Sequence, residues 1–427
     1  MNYFSYIDNE LYCEEVAIAN IAAREGTPFY LYSLKTLKRH YQVFDRAFAD
    51  VPHLICFSAK ANSNIAILKA LVMEGAGMDI VSGGELFRAM KAGADPKKIV
   101  FSGVGKRQDE IEYALSSGIL MFNIESSQEL ETVNAAAGKM NKKAPIALRV
   151  NPDVDAGTHP HISTGMKENK FGIDIAASVS EYRRAKELEH IEIVGIDCHL
   201  GSQITEVDPF IHALDRLKKL VATLRRERIE IKYLDLGGGL GIMYDNEDPP
   251  HPDEYARAIL KKTVDMDCTF ILEPGRVIAG NSGVLIAKIL YTKEREHKNF
   301  VIVDAGMNDL IRPSLYGSYH KILPVTKGEN EKKSIIADVV GPICESGDFF
   351  AKARRMPPFA PNDLIAVMSA GAYGFTMSSN YNSRPRCAEV LVNGDRYDVI
   401  RKREKYEDLV KDENIPDYLH EYRVRES

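Results

Sequence analysis

The 427-residue sequence has no C-x-x-C pair, no long basic run, no apolar run of bilayer length and no low-complexity segment. Each absence removes a class of protein. The six cysteines, Cys13, Cys56, Cys198, Cys268, Cys344 and Cys387, are scattered without metal-ligand spacing, so free thiols are expected and neither a disulfide framework nor a metal centre is. With 55 basic against 61 acidic residues the net charge is −6, which leaves nucleic acid without an electrostatic footprint. The N-terminus, carrying Asp8, Glu10, Glu14 and Glu15, lacks the basic and apolar regions of a signal peptide. A cytoplasmic protein without membrane contact is the resulting expectation.

What is present is an ordinary globular composition, 45% hydrophobic and 27% charged, in a chain long enough for about two domains. An amphipathic helix is expected around Val16 to Arg24, a strand at Pro28 to Ser33 and a helix at Leu37 to Ala49. From there a rhythm of apolar strand, turn and helix repeats eight times. Its strands are Leu54 to Lys60, Met78 to Gly83, Ile99 to Gly103, Leu120 to Glu125, Ile146 to Asn151, Ile193 to Leu200, Tyr233 to Gly237 and Thr269 to Gly275. Eight such units predict a closed parallel (β/α)8 TIM barrel, because an open doubly wound sheet seldom repeats so evenly. After about residue 280 strands follow one another without long helices, and Asn393-Gly394 marks a hairpin. This predicts a second, mostly β domain: α/β overall, with a charged and partly helical tail from Arg401.

In Gly195 to Leu200 the polar residues share one strand face and the apolar ones the other. In a barrel wrapped by helices the polar face points inward, which puts Lys60, Ser82, Asn123, Glu125, Arg149, Asn151, His199, Gly237 and Glu273 at the C-terminal mouth. Lys60 shares its strand face with Leu54, Cys56 and Ser58, where a core side chain would otherwise sit. An unpaired ammonium there is costly, so it is exposed, ion-paired, or converted, for example to a Schiff base with a carbonyl cofactor. Glycine-rich Leu236 to Gly241 follows strand seven and Glu273-Pro274-Gly275-Arg276 closes strand eight, where barrels of this kind hold phosphate; a tight turn accounts for the glycines equally well. Lysine and loops together suggest a phosphorylated aldehyde, pyridoxal 5'-phosphate. Its ring nitrogen needs a carboxylate, for which Glu273 is placed, although an ion pair with Arg276 or Arg149 would also occupy that residue. His199 could lie flat against the ring or be a satisfied core histidine.

Taken in order, CFSAKAN (Cys56 to Asn62), SGGE (Ser82 to Glu85), FNIES (Phe122 to Ser126), HPHISTGMKENKFGI (His159 to Ile173), CHLGSQI (Cys198 to Ile204) and LDLGGGLGI (Leu234 to Ile242) resemble the fold-type III pyridoxal-phosphate decarboxylases. So do EPGR (Glu273 to Arg276), DLIRPSLYGSYH (Asp309 to His320), GPICESGDFF (Gly341 to Phe350) and AGAYGFTMSSNYN (Ala370 to Asn382). The resemblance implies a barrel at 37–280 and a β-rich domain made of 1–36 with 281–427. It also implies a head-to-tail homodimer with active sites at the subunit interface. Lys60 would carry the cofactor, Glu273 would face the ring nitrogen and His199 would stack on the ring. Ser202, Gly238, Gly239, Gly275, Arg276 and Tyr373 would surround the phosphate or line its rim. Cys344 would arrive from the partner subunit as the acid that reprotonates the α-carbon.

Substrate class separates members of the family. Those acting on ornithine, lysine or arginine need acidic or polar partners for a distal cation, whereas this chain offers Arg276 and Arg312, with Tyr316, Tyr373 and Glu345 nearby in motif. Arginine forks suit a distal carboxylate and a glutamate a distal amine. The expectation is therefore decarboxylation of meso-2,6-diaminopimelate to L-lysine, the last step of lysine biosynthesis. A relative acting on carboxynorspermidine or a basic amino acid would lack the distal-carboxylate arginine, and a silent relative could lose Lys60 or Cys344.

Overall fold

A computed structural model of the chain describes residues 2–155, 170–296, 298–328 and 333–420. Residues 159–169 of the motif His159 to Ile173 lie outside the described residues. Eight parallel strands, His53–Ser58, Gly77–Ile80, Ile99–Phe101, Met121–Ile124, Ala144–Asn151, Ile191–Asp197, Tyr233–Asp235 and Thr269–Leu272, pair in chain order. The eighth returns to the first in the register Phe270 with His53, which closes the barrel.

The lumen is layered. Cys56, Val100, Met121, Ala147, Val194 and Ile271 form a buried apolar plug toward the N-terminal end. Above it lie Ser58, Asp79, Ser102, Asn123, Arg149, Asp197, Asp235 and Glu273, all buried and polar. The parity read from strands one, four, five, six and eight therefore holds. Strand two corrects it. Ser82 does not point inward; its hydroxyl accepts from the Glu85 amide and caps the helix Gly83–Ala92, because the strand ends at Ile80 and the chain is already turning. Asp79 takes the inward position.

The helix Ile65–Met73, which follows the Lys60 turn, is capped by Asn64. The helix foreseen at Leu37 to Ala49 begins earlier, at Leu34, because Ser33 accepts from the Thr36 amide. The short strands Phe4–Ile7, Glu10–Cys13 and Val16–Ala17 form a sheet that the sequence did not announce.

The second unit is built on the 13-residue strand Gly283–Arg295. It pairs antiparallel with Phe29–Ser33, Lys298–Val303 and Leu364–Val367. Phe29–Ser33, buried along its whole length, also pairs in parallel with Ala388–Asn393, so the N-terminal strand lies inside the C-terminal sheet. Two hydrogen bonds bring this sheet to the barrel mouth: the Tyr373 amide donates to the Ala61 carbonyl at 2.8 Å, and Asn62 Nδ2 donates to the Gly371 carbonyl at 3.1 Å. No described helix is long and apolar enough to cross a membrane.

Candidate active site

At the C-terminal mouth a cavity of about 240 Å3 is lined by Lys60, Val81, Arg149, Phe171, His199, Ser202, Glu273, Arg276, Arg312, Tyr316 and Tyr373, among others. Strand ends supply one wall and the β-rich unit the other, so residues as far apart in the chain as 60 and 373 face one space.

Lys60 is half-buried, and its Nζ donates to Asp79 Oδ2 at 2.6 Å. The same oxygen accepts from Ser58 Oγ at 2.8 Å, while Asp79 Oδ1 is buried without a partner among the described residues. Burial works against the Lys60 ammonium, but the charges of Asp79 and Glu273 outweigh it and raise the pKa. Asp79 thus holds the lysine as a cation until a ligand draws the proton away. Sequence reasoning passed over Asp79; its signal was a lone acid inside the apolar run Gly77 to Val81.

Glu273 accepts weakly from Ser102 Oγ at 3.2 Å and Asn123 Nδ2 at 3.4 Å. Neither competing ion pair forms. Arg149 donates to Glu125 Oε1 at 2.7 Å and lies 3.8 Å from Asp197, and Arg276 turns to Tyr244 and Ser202. Burial, then Asp235, Asp79 and Asp197, push the Glu273 pKa up. Asp235 is pushed to about 6, chiefly by burial. The oxygens of Asp197, Asp235 and Glu273 lie within 4.8 Å of one another, a crowding that only protons or an incoming cation can relieve. A pyridinium N–H is such a cation, and Glu273 is the member of the trio that lines the cavity.

The His199 Nδ1 accepts from the Gly238 amide at 3.1 Å, which leaves its proton on Nε2. Burial, Arg149 and Lys60 lower its pKa, so the ring at the cavity wall is neutral. The glycines answer to packing as well as to any phosphate. A Cβ on Gly238 would run into the Glu273 carbonyl oxygen, and one on Gly239, at φ +108°, would meet the Gly201 carbonyl. Gly275 is hemmed in by Ser58, Ala61 and the Tyr373 hydroxyl.

Arg276 donates to Ser202 Oγ at 2.8 Å and to the Tyr244 hydroxyl at 2.7 Å, and stacks 4.9 Å from the Tyr373 ring. Arg312 donates to Ser318 Oγ at 3.2 Å and lies over Tyr244 and Tyr316. Both guanidiniums are buried, the Nε of each lacks a partner, and neither has a carboxylate partner among the described residues. Burial lowers the Arg312 pKa, and the charge of Arg276 adds to the strain. Two desolvated cations without an anion mark where an anion belongs. Tyr244, which separates them, carried no signal in the sequence.

Cys344 and Glu345 stand apart. They are exposed in the loop shaped by Asp348, which accepts from the Met307 and Ile343 amides, and neither lines the cavity of its own chain.

The family described as "Pyridoxal-dependent decarboxylase, pyridoxal binding domain" matches residues 34–280. The chain is 51% identical to the diaminopimelate decarboxylase of Pseudomonas aeruginosa over 97% of this chain and 99% of that one. It is 52% identical to that of Haemophilus influenzae over 96% and 98%. Among solved structures, Helicobacter pylori diaminopimelate decarboxylase complexed with L-lysine is 44% identical, with a TM-score of 0.89 over 92% of this chain and 98% of that one.

Proposed function

The chain belongs to the diaminopimelate decarboxylases, a family of pyridoxal-dependent decarboxylases, and from that premise we propose that its cavity converts meso-2,6-diaminopimelate to L-lysine and carbon dioxide. The observation that carries the substrate class is the pair of buried guanidiniums, Arg276 and Arg312, without a carboxylate partner in the cavity that also holds Lys60. A substrate ending in a bare cation would be repelled there. One ending in a second carboxylate supplies the missing charge.

The donor set also fits pyridoxal phosphate. Lys60 is the amine that would carry it, Glu273 lacks a cation for which a ring nitrogen would serve, and the neutral His199 ring can cover a flat heterocycle. Ser202, Gly238, Gly239, Gly275, Arg276 and Tyr373 would hold the phosphate end. When bound, this cofactor supplies an aldehyde for the substrate amine and a protonated ring that withdraws electrons from the bond to the departing carboxylate. Asp79 steadies the Lys60 ammonium and holds the side chain in place. Arg312 and Arg276, with Tyr316 and Tyr373, orient the distal carboxylate, which leaves the α-carboxylate directed away from the guanidiniums.

Cys344 and Glu345 complete the site from a second copy of the chain, Cys344 returning a proton to the α-carbon and Glu345 receiving the distal amine. Their exposed loop and their absence from the cavity of their own chain support this two-copy reading. A cytoplasmic location accords with it. The test is carbon dioxide release by purified protein with added cofactor: release from meso-diaminopimelate is expected, and release from ornithine or arginine alone would overturn the assignment.

A further inference from the structure

The C-terminal segment exposes more apolar surface than its position on the fold explains. After the strand Arg396–Arg401, the helix Tyr406–Val410 and the turn Asp417–His420 leave Tyr406 75%, Val410 55%, Ile415 62%, Tyr418 72% and Leu419 52% exposed. Between Tyr406 and Leu419 stand five acids, Glu407, Asp408, Asp412, Glu413 and Asp417, against one lysine, Lys411. Such a segment is apolar on one side and strongly acidic on the other. Asp408 accepts from the Lys405 amide at 2.8 Å and Leu409 is half-buried, whereas Glu407, Asp412, Glu413 and Asp417 make no ion pair among the described residues.

A groove of opposite character runs beside the point from which that segment leaves. It lies between the helices Ile65–Met73 and Gly83–Ala92 and the edge strand Arg396–Arg401, and has a volume of about 990 Å3. Ile65 and Phe87, both exposed, give it an apolar floor. Lys69, Arg88, Lys91 and Arg401 give it positive walls. Arg401 is paired with the buried Glu389, Arg88 donates to the Ser63 carbonyl, and Lys91 lies over the Phe87 ring. Lys69, Arg88 and Lys91 have no carboxylate partner among the described residues. A protein with net charge −6 thus gathers unpaired cations around an exposed aromatic ring.

We propose that this groove receives the acidic C-terminal segment, 405–420, of a second copy of the chain, and that the two copies exchange segments across a two-fold axis. Charge and apolar pattern match: Tyr406 and Val410, one turn apart, meet Ile65 and Phe87, while Asp412 and Glu413, beyond the helix end, face Lys69, Arg88 and Lys91. The segment starts at the groove's own rim, and Arg396–Arg401 is the last strand of its sheet, with one edge unpaired. A two-fold axis near that edge brings each segment to its partner's groove by a short path. The groove walls include Asn64 and Gly84, at the helix starts that follow Lys60 and Asp79, so docking buttresses the turn carrying the catalytic amine.

The inference rests on the two-copy assembly proposed above, and the experiment separates the two. Sedimentation equilibrium of the full-length chain establishes whether the parent pairs. Lys69→Glu with Lys91→Glu reverses the groove, and Asp412→Lys with Glu413→Lys reverses the segment. Each double variant should raise the dimer dissociation constant at least tenfold, and a chain ending at Glu404 should do the same. An equimolar mixture of groove-reversed and segment-reversed chains should recover parental affinity, because both exchanged contacts then match in charge. A monomeric parent would defeat the two-copy reading itself. A dimeric parent unaffected by either reversal, or reversed chains that dissociate but do not rescue each other on mixing, would defeat the docking alone.

Discussion

Asp79 Oδ2 accepts from Lys60 Nζ at 2.6 Å while its own Oδ1 lies buried without a partner among the described residues. The pair keeps the amine protonated in the ligand-free chain. Asp79→Asn removes the charge and keeps the shape. The Lys60 pKa should fall toward its ordinary value, since burial is then opposed chiefly by the charge of Glu273. Cofactor attachment, followed by visible absorbance, should shift to lower pH, and the folded chain should lose about 1.5–3 kcal/mol from the charged hydrogen bond. An unchanged pH profile would show that Asp79 does not govern the amine.

How much of this was readable beforehand depended on where each signal lay. The barrel was legible because each strand, turn and helix is encoded locally, and the inward parity of Lys60, Asn123, Arg149, His199 and Glu273 follows from alternation. Strand two misled because Met78, Ile80 and Val81 are apolar on both faces, so parity gave no phase and Ser82 was read as inward when it caps a helix. Tyr244 was invisible for another reason: it meets Arg276 and Arg312 only when the loop after Gly241 folds beneath the β-rich unit. Contacts between distant segments leave no mark on local pattern.

Arg312 costs the ligand-free protein stability, because its guanidinium is desolvated and lacks a counter-ion among the described residues. Arg312→Met should therefore raise the thermal midpoint of the ligand-free chain, by the equivalent of about 1–3 kcal/mol. The same change should raise KM for diaminopimelate on the order of 10- to 100-fold through loss of a charge-assisted contact. Differential scanning calorimetry and steady-state kinetics on one preparation check both halves; a destabilised variant with unaltered KM would make Arg312 structural.

The crowded carboxylates give a pH dependence of unusual sign. Asp235 ionises near 6 in the folded chain and near 3.9 unfolded, so between those values the folded state binds more protons. Its contribution is neutral below about pH 4, and stability falls as pH rises through 6, by up to about 3 kcal/mol. Glu273 and Asp197, also raised, extend the fall to higher pH. Unfolding of the ligand-free parent and of Asp235→Asn, followed from pH 4.5 to 8, should show the variant gaining on the parent with rising pH. Parallel curves would mean that the cluster does not hold excess protons. Bound cofactor should flatten the parental curve, since a ring cation at Glu273 takes the place of a proton.

The exposed position of Cys344, outside the cavity formed by Lys60, makes shared active sites testable by mixing. Lys60→Ala removes the amine and Cys344→Ala the proton donor, so each variant alone should decarboxylate diaminopimelate at a small fraction of the parental rate. If each site draws Lys60 from one copy and Cys344 from the other, a mixed dimer contains one site lacking both groups and one with both intact. Random re-pairing of equal amounts makes half the dimers mixed, so about a quarter of all sites should be restored. Activity should rise on mixing at the rate of subunit exchange and level off near that fraction. If both groups of a site came from one chain, every site in the mixture would still lack one of them, and mixing would recover nothing.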